Sequence, residues 1–291
     1  MRLTLTNKNN QVLDLLASRD KFILTAAEGL HGIETDIAES ETPYTDGAQV
    51  ESVKALPRGI ELTFTLRGNI KASIDYFTSI VKSKQFVTLR EVDGERDITI
   101  KGVATVPPYT RMLQTCKISL TIYCPQPYWE DAEYIVETLS EYIALLCFPQ
   151  EGQYFTQTGR PFGTLDTDLT KTFTNNGDTT VGMRISIVAR GEVKKPRISC
   201  STGEQNGWYM QLNLNLKQND EVEISTVKGE KYIKINGAET YNGNPILNYL
   251  EWLGNDWLQI ETGPNTFSIS TAGGTTNSNV YFDLTYKGRY E

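Results

Sequence analysis

The stretch Ile118-Ser-Leu-Thr-Ile-Tyr-Cys-Pro-Gln-Pro-Tyr-Trp-Glu130 decides how the chain divides. From Ile118 to Cys124 the apolar residues Ile118, Leu120, Ile122 and Cys124 alternate with Ser119, Thr121 and Tyr123. A two-residue period predicts a strand with one face on a core. Pro125 and Pro127 follow, and a residue with no amide hydrogen and a fixed φ cannot continue a central strand. Tyr128 and Trp129 are then large enough to pin the departing chain on a neighbouring surface. The segment Pro125, Pro127, Tyr128 and Trp129 is therefore read as the anchor of a domain junction. It separates residues 1–130 from a linker over 131–163 and a second domain over 164–291.

Upstream, Leu3–Leu5, Val12–Leu16 and Phe22–Leu24 suit short strands around an Asn7–Asn10 turn. Ile60, Leu62, Phe64 and Leu66 alternate with polar residues between Gly59 and Gly68, a half-buried strand. Asn69 can cap a helix whose Ile70, Ile74, Phe77, Ile80 and Val81 share one face. Phe86–Glu91 and Ile98–Val103 flank Asp93-Gly94, the sequence of a tight hairpin turn. Strands, one helix, a hairpin and a closing strand describe an α+β domain.

Between Glu28 and Glu51 the chain carries Glu28, Glu34, Asp36, Glu39, Glu41, Asp46 and Glu51 and no Lys or Arg. A one-sign run ordinarily marks a solvated loop. The sharper reading is an extension that reaches a neighbouring subunit or lines a lumen, with Glu34, Asp36, Glu39, Glu41 and Asp46 as its interface or channel residues.

Downstream, Glu133–Phe148 suits either a helix or a buried strand, and 150–163 reads as loop. Phe173–Asp178 reads as a turn and Pro245–Leu253 as a helical stretch. The rest alternates over short runs: Met183–Ala189, Trp208–Leu216, Val222–Ile224, Tyr232–Ile235, Phe267–Ile269 and Val280–Tyr286, with Gly-rich turns between. That pattern predicts a β-sandwich.

Composition removes several classes of function. With 291 residues the chain can bury two cores. A net charge of −8 argues against a nucleic-acid groove binder. There is no apolar run of membrane-spanning length and no apolar leader in the first ten residues. Cys116, Cys124, Cys147 and Cys200 lack zinc spacing, and Cys116 and Cys124 sit on the apolar phase of one strand, as expected for synthesis in a reducing cytoplasm. The single histidine, His31, falls in a turn and reads as structural or solvent-exposed. No phosphate loop, nucleophile elbow or zincin helix occurs. A glycosidase pair needs only to meet in space, yet no carboxylate sits in a setting that singles it out. Trp208, Tyr209, Trp252 and Trp257 could stack on sugar rings, although Trp208 and Trp257 suit the sandwich interior better.

Several motifs together resemble one family. Cys124-Pro-Gln-Pro-Tyr-Trp129 resembles the Cys-Pro-Asp-Pro-Tyr/Phe-Trp signature of siphophage distal tail proteins, with Gln126 in place of the acidic residue. Pro43 and Gly47 in a loop followed by Arg58-Gly-Ile-Glu-Leu-Thr-Phe-Thr-Leu-Arg-Gly68 are similar too. So are Asn176-Gly-Asp178, Met183-Arg-Ile185, Lys195-Pro-Arg-Ile198 with Thr202-Gly203, and Gly229-Glu-Lys-Tyr-Ile-Lys-Ile-Asn-Gly237. Asn265 after Gly263 and Tyr286-Lys-Gly-Arg-Tyr290 complete the resemblance, which covers most of the chain except 133–171.

The resemblance implies a mainly β protein. Its α+β N-terminal domain would be tail-tube-like, a split barrel or β-sandwich with one helix, and its C-terminal sandwich galectin-like or carbohydrate-module-like. It implies a non-enzymatic virion component of the tail tip, assembled in the host cytoplasm, with no cofactor and no metal. A homo-hexameric ring would join the tail-tube protein on one face to the tail-associated hub or lysin protein on the other. Receptor-binding proteins would sit at the periphery, no membrane would be involved, and DNA would be passing cargo only. Six copies at −8 would carry about −48, which suits a channel through which DNA slides. The alternative reading is a carbohydrate-binding module protein for host-surface adhesion. A cell-wall-degrading enzyme is a third reading, without a nameable catalytic carboxylate.

Overall fold

The computed structural model describes residues 2–17, 21–41, 46–107, 116–138, 170–272 and 280–291, and the backbone alone of 142–144 and 163–165. It is mainly β and divides into two compact units, Met1–Ala132 with Arg289–Glu291, and Glu133–Gly288.

The first unit is organised by the alternation that opens the sequence. Strand β1 (Arg2–Asn7), β2 (Val12–Asp14) and β3 (Phe22–Glu28) lead to a hairpin, β4 (Thr35–Glu41) and β5 (Ala48–Ala55). Then come β6 (Arg58–Leu66), helix α1 (Ile70–Ile80), β7 (Gln85–Asp93), β8 (Arg96–Thr105), β9 (Cys116–Cys124) and β10 (Trp129–Asp131). The main sheet runs in the order β2-β1-β7-β8-β9-β6-β3, with β10 and the C-terminal Arg289–Tyr290 strand attached to it. Strand β6 pairs with β9 along its whole length, from Arg58 opposite Cys124 to Leu66 opposite Cys116. Every second residue of both is buried, so Ile60, Leu62, Phe64, Ile118, Leu120 and Ile122 face one core.

Helix α1 lies on that core. The Asn69 side chain accepts from Ala72 N at 3.2 Å, and Phe77 meets Phe64 and Phe22 with ring centroids 5.4 and 6.3 Å away. Beyond the helix, Asn7 Nδ2 donates to the Ile80 carbonyl at 2.9 Å, which satisfies an acceptor freed where the helix stops. The β7–β8 turn is Gly94-Glu95, with Gly94 at φ +61, the left-handed conformation that a two-residue hairpin favours.

The second unit holds two five-stranded antiparallel sheets. One orders Ile135–Thr138, Val280–Tyr286, Arg184–Ala189, Glu221–Ser225 and Tyr232–Ile235; the other orders Thr170–Asn175, Gly263–Ser270, Arg197–Cys200, Tyr209–Leu212 and Leu250–Leu253. Their inner faces share a single core that includes Met183, Ile185, Ile198, Met210, Phe267 and Phe282. Phe173 of one sheet lies 5.6 Å from the ring of Tyr286 in the other. Two sheets on one core make a sandwich.

Four expectations need correction. The acidic Glu28–Glu51 stretch reads as a loop, whereas Glu28 ends β3 and the residues from Thr35 onward belong to the β4–β5 hairpin. Phe173 lies inside the Thr170–Asn175 strand, where a turn was read, because only Phe173 and Asn175 of that strand are buried and the alternation is faint. Pro245–Leu253 is a single 3-10 turn (Ile246–Tyr249) followed by an edge strand (Leu250–Leu253), since the apolar run is too short to close α-helical turns against a core. Within the stretch read as linker, Ile135–Thr138 is a strand paired with Val280–Tyr286. Leu139, Leu146, Cys147, Pro43, Pro108 and Gly273-Gly274 lie outside the described residues.

Candidate functional site

The β4–β5 hairpin is a two-stranded sheet of its own. No residue of either strand is buried, and Ile37, Val50 and Val53 are 49, 55 and 62% exposed. Its pairing is regular from Thr35/Ala55 through Ala38/Ser52, then shifts so that Glu39 faces Val50 and Glu41 faces Ala48. The shift leaves Glu51 as an extra residue on β5, a bulge. Its effect is on faces: residues directly opposite share one, and without the bulge Val50 and Val53 would point opposite ways. With it, Thr35, Ile37, Glu39 and Glu41 share a face with Ala48, Val50, Val53 and Ala55. The other face carries Asp36 opposite Lys54, Ala38 opposite Ser52, and Ser40 opposite Gln49. The apolar face thus holds two carboxylates and no cation.

At the hairpin's root the chain is stapled to the main sheet. Leu56 N donates to Glu34 O at 2.8 Å. The Leu30 carbonyl accepts twice, from Arg58 Nη1 at 2.6 Å and from Trp129 Nε1 at 2.9 Å. Gly29, at φ +74, packs so closely on β6 that a Cβ there would collide with the Gly59 carbonyl oxygen. Gly29, His31, Gly32, Ile33, Glu34, Pro57, Arg58 and Gly59 line a cavity of about 480 Å³. Arg58 is only 5% exposed, yet its Nε and Nη2 are buried with no hydrogen-bond partner. Burial pulls its guanidinium pKa down, against the pull of Cys124 and Glu291. Burial likewise pushes the Cys124 thiol up to about 11.

The second unit offers a cavity of about 300 Å³ lined by Thr180, Glu204, Gln205, Trp208, Asp256, Trp257, Gln259 and Glu261. Its polar groups are already engaged with one another. Glu261 accepts from Glu204 N and Gln205 N, each at 3.1 Å, and Gln205 exchanges two bonds with the Gln259 backbone. Asp256 pairs with Lys231 at 2.5 Å, and that hydrogen bond holds its carboxyl below the usual range. Trp257 is 8% exposed and Trp208 packs against the same core, so both fill the sandwich as the alternation predicted. Trp252 is exposed; Tyr209 lies under Arg197 at 3.6 Å and donates to Glu251.

Residues 176–290 match the family model described as siphovirus-type tail component, C-terminal domain. The chain also shares its fold with the crystal structure of the Dit protein of phage SPP1, described as a paradigm of the hub adsorption apparatus in phages infecting Gram-positive hosts. That match has a TM-score of 0.63 at 13% identity and covers 98% of each chain. A structure of the phage P2 baseplate in its activated conformation with Ca aligns at a TM-score of 0.45 and 13% identity, over 99% of this chain and 98% of that one. A search of curated proteins returns no match.

Glu34, Asp36, Glu39, Glu41 and Asp46 are all exposed, Glu34 at the root of the hairpin and the others along it. Of the junction residues, Pro125 is exposed, Pro127 buried, Tyr128 half-buried and Trp129 fully buried. Trp129 pins β10 within the first unit, where Glu130 pairs with Thr99 and Trp129 with Tyr290. The Arg58 cavity escaped the sequence reading. Its only trace was a charged residue opening an alternating strand behind a proline, Pro57-Arg58-Gly59.

Proposed function

We propose that the chain is a structural distal tail protein whose copies close into a hexameric ring joining the tail tube to the tail-tip hub. DNA passes through the ring's channel, receptor-binding proteins attach at the periphery, and no bond is made or broken on the protein. The observation that carries the reading is the β4–β5 hairpin. A lone two-stranded hairpin is at best marginally stable in water. This one nevertheless presents Ile37, Val50 and Val53 together on an open face. A cyclic array gives every such element a neighbour to lie on. The acidic residues Glu34, Asp36, Glu39, Glu41 and Asp46 then face either that neighbour or the channel, where negative charge keeps DNA from adhering.

Two variants test the reading. Replacing 35–55 by a short Gly-Ser turn should leave the rest of the chain folded and abolish rings in electron micrographs. Converting Glu34, Asp36, Glu39 and Glu41 to Lys should impair ring assembly, DNA retention in assembled tails, or both. Rings from the hairpin-deleted chain, or lysine variants unchanged in both respects, would contradict it.

A further inference from the structure

Two features that lie close together in the sequence of the first unit have groups left without partners: two guanidinium nitrogens of Arg58, which have no hydrogen bond although the charge feels Glu291, and an apolar hairpin face open to solvent. The first is Arg58. A guanidinium stays charged at any ordinary pH. A buried charge without a counter-charge or full hydrogen bonding is strongly unfavourable. Arg58 uses one nitrogen on the Leu30 carbonyl, while Nε and Nη2 have none. It forms part of the wall of the 480 Å³ cavity at the hairpin's root. The second feature is the apolar face of the hairpin. Any surface that covers Ile37, Val50 and Val53 must also cover Glu39 and Glu41, which share that face with no cation beside them. Glu39 and Glu41 have no ion-pair partner among the described residues. The chain's one hairpin cation, Lys54, stands opposite Asp36 on the far face.

We propose that the Arg58 cavity is the receptor for a hairpin carboxylate, Glu39 or Glu41, of a second copy of this chain. The inference rests on the ring reading and deepens it by naming the contact that latches one copy to the next. The geometry of the groups matches: two adjacent guanidinium N–H groups, Nε and Nη2, form the fork that a carboxylate accepts in bidentate fashion. Both nitrogens are sealed in the lone chain, so docking must open the Gly29–Glu34 wall. The Leu30 carbonyl, held by both Arg58 and Trp129, fixes the Gly29 end of that wall and the guanidinium with it. The opening therefore falls on the Gly32–Glu34 end, where Gly32, at φ +77, has open space beside its Cα. Glu34 lies on the cavity's rim, so the incoming carboxylate must pass a like charge. The latch therefore forms only when the apolar face docks at the same time.

The test uses the full chain. R58M should fold, as its unfolding transition will show, and should require at least about 30-fold more protein to assemble, since truncating one partner of a buried charge pair weakens association by that order. E39Q/E41Q should reproduce the loss with no change in the fold, because both residues are exposed, while E28Q should not. A second measurement holds if R58M fails to fold. Light and heavy nitrogen-labelled R58K chains are mixed, assembled and treated with a carbodiimide, which joins an amine to a carboxylate in contact. The expected product is a peptide pair joining position 58 of one isotope to Glu39 or Glu41 of the other. Rings from R58M at wild-type concentrations, or a link confined to one isotope, would overturn the latch and leave the ring reading standing. Filling of the cavity by added acetate or phosphate, with assembly unaffected, would also overturn it. A wild-type chain that never assembles would remove the ring reading and the latch together.

Discussion

Two antiparallel pairs in the first unit, β6–β9 and β4–β5, are of similar length and differ in almost everything else. In β6–β9 every second residue is buried, and the pair is the spine of the main sheet. In β4–β5 no residue is buried, and the pair is hydrogen-bonded into no other sheet among the described residues. Both are antiparallel backbone ladders, one of them bulged, so the larger difference between them is in what their side chains bury. The first pair is held by apolar area removed from water within its own chain. The second leaves three large apolar side chains open to solvent. On the proposed reading, the contrast separates residues that stabilise the fold from residues that build the assembly.

The largest expected effect is at the core end of that contrast. Trp129→Ala empties the largest fully buried site among the described residues and removes one of the two donors to the Leu30 carbonyl. It should cost the first unit about 3–5 kcal/mol, read as an early unfolding transition in a denaturant titration, with the second unit's transition unmoved. A uniform shift of both transitions would blur the comparison. Gly29→Ala forces a side chain into a left-handed backbone and against Gly59. A loss of about 1–3 kcal/mol in the same transition is expected, and a neutral result would show that the hairpin's root gives way freely. Ile37→Ser with Val53→Ser belongs to the other end. The lone chain should change by no more than about 0.5 kcal/mol, while ring formation is lost. A destabilisation as large as that of Trp129→Ala would mean the hairpin packs on its own chain.

The smallest effect concerns surface charge. Hydrogen bonds from Arg90 and Lys231 hold the Asp97 and Asp256 carboxyls below their usual range. A carboxylate with a depressed folded-state pKa stabilises the fold above its unfolded pKa, about 4, and loses that contribution as pH falls through the folded value. Both pairs are exposed, so D97N with D256N should lower stability by less than about 1 kcal/mol at neutral pH. The difference should shrink as the pH of the melt is lowered through the folded-state values and vanish below them.

The same contrast explains what could be read in advance. Ile118–Cys124, Ile60–Leu66 and the Asn69-capped helix announce themselves because half their residues must avoid water, which stamps a period of two or of 3.6 on the sequence. Thr35–Glu41 carries no such stamp, because none of its residues is buried. Thr170–Asn175 is legible only at Phe173. The return of Tyr290 to Trp129 is a pairing between distant parts of the chain, invisible to any local pattern. The acidic residues were found by their one-sign run. Arg58 was not, since burial of a lone guanidinium leaves no mark on spacing.

The most direct test of the account is the solution mass of the full chain, measured by light scattering across a wide concentration range, with micrographs of the same sample. The account predicts a discrete species of six chains with a central opening. A single chain at every concentration, indifferent to tail-tube and hub proteins, would contradict it.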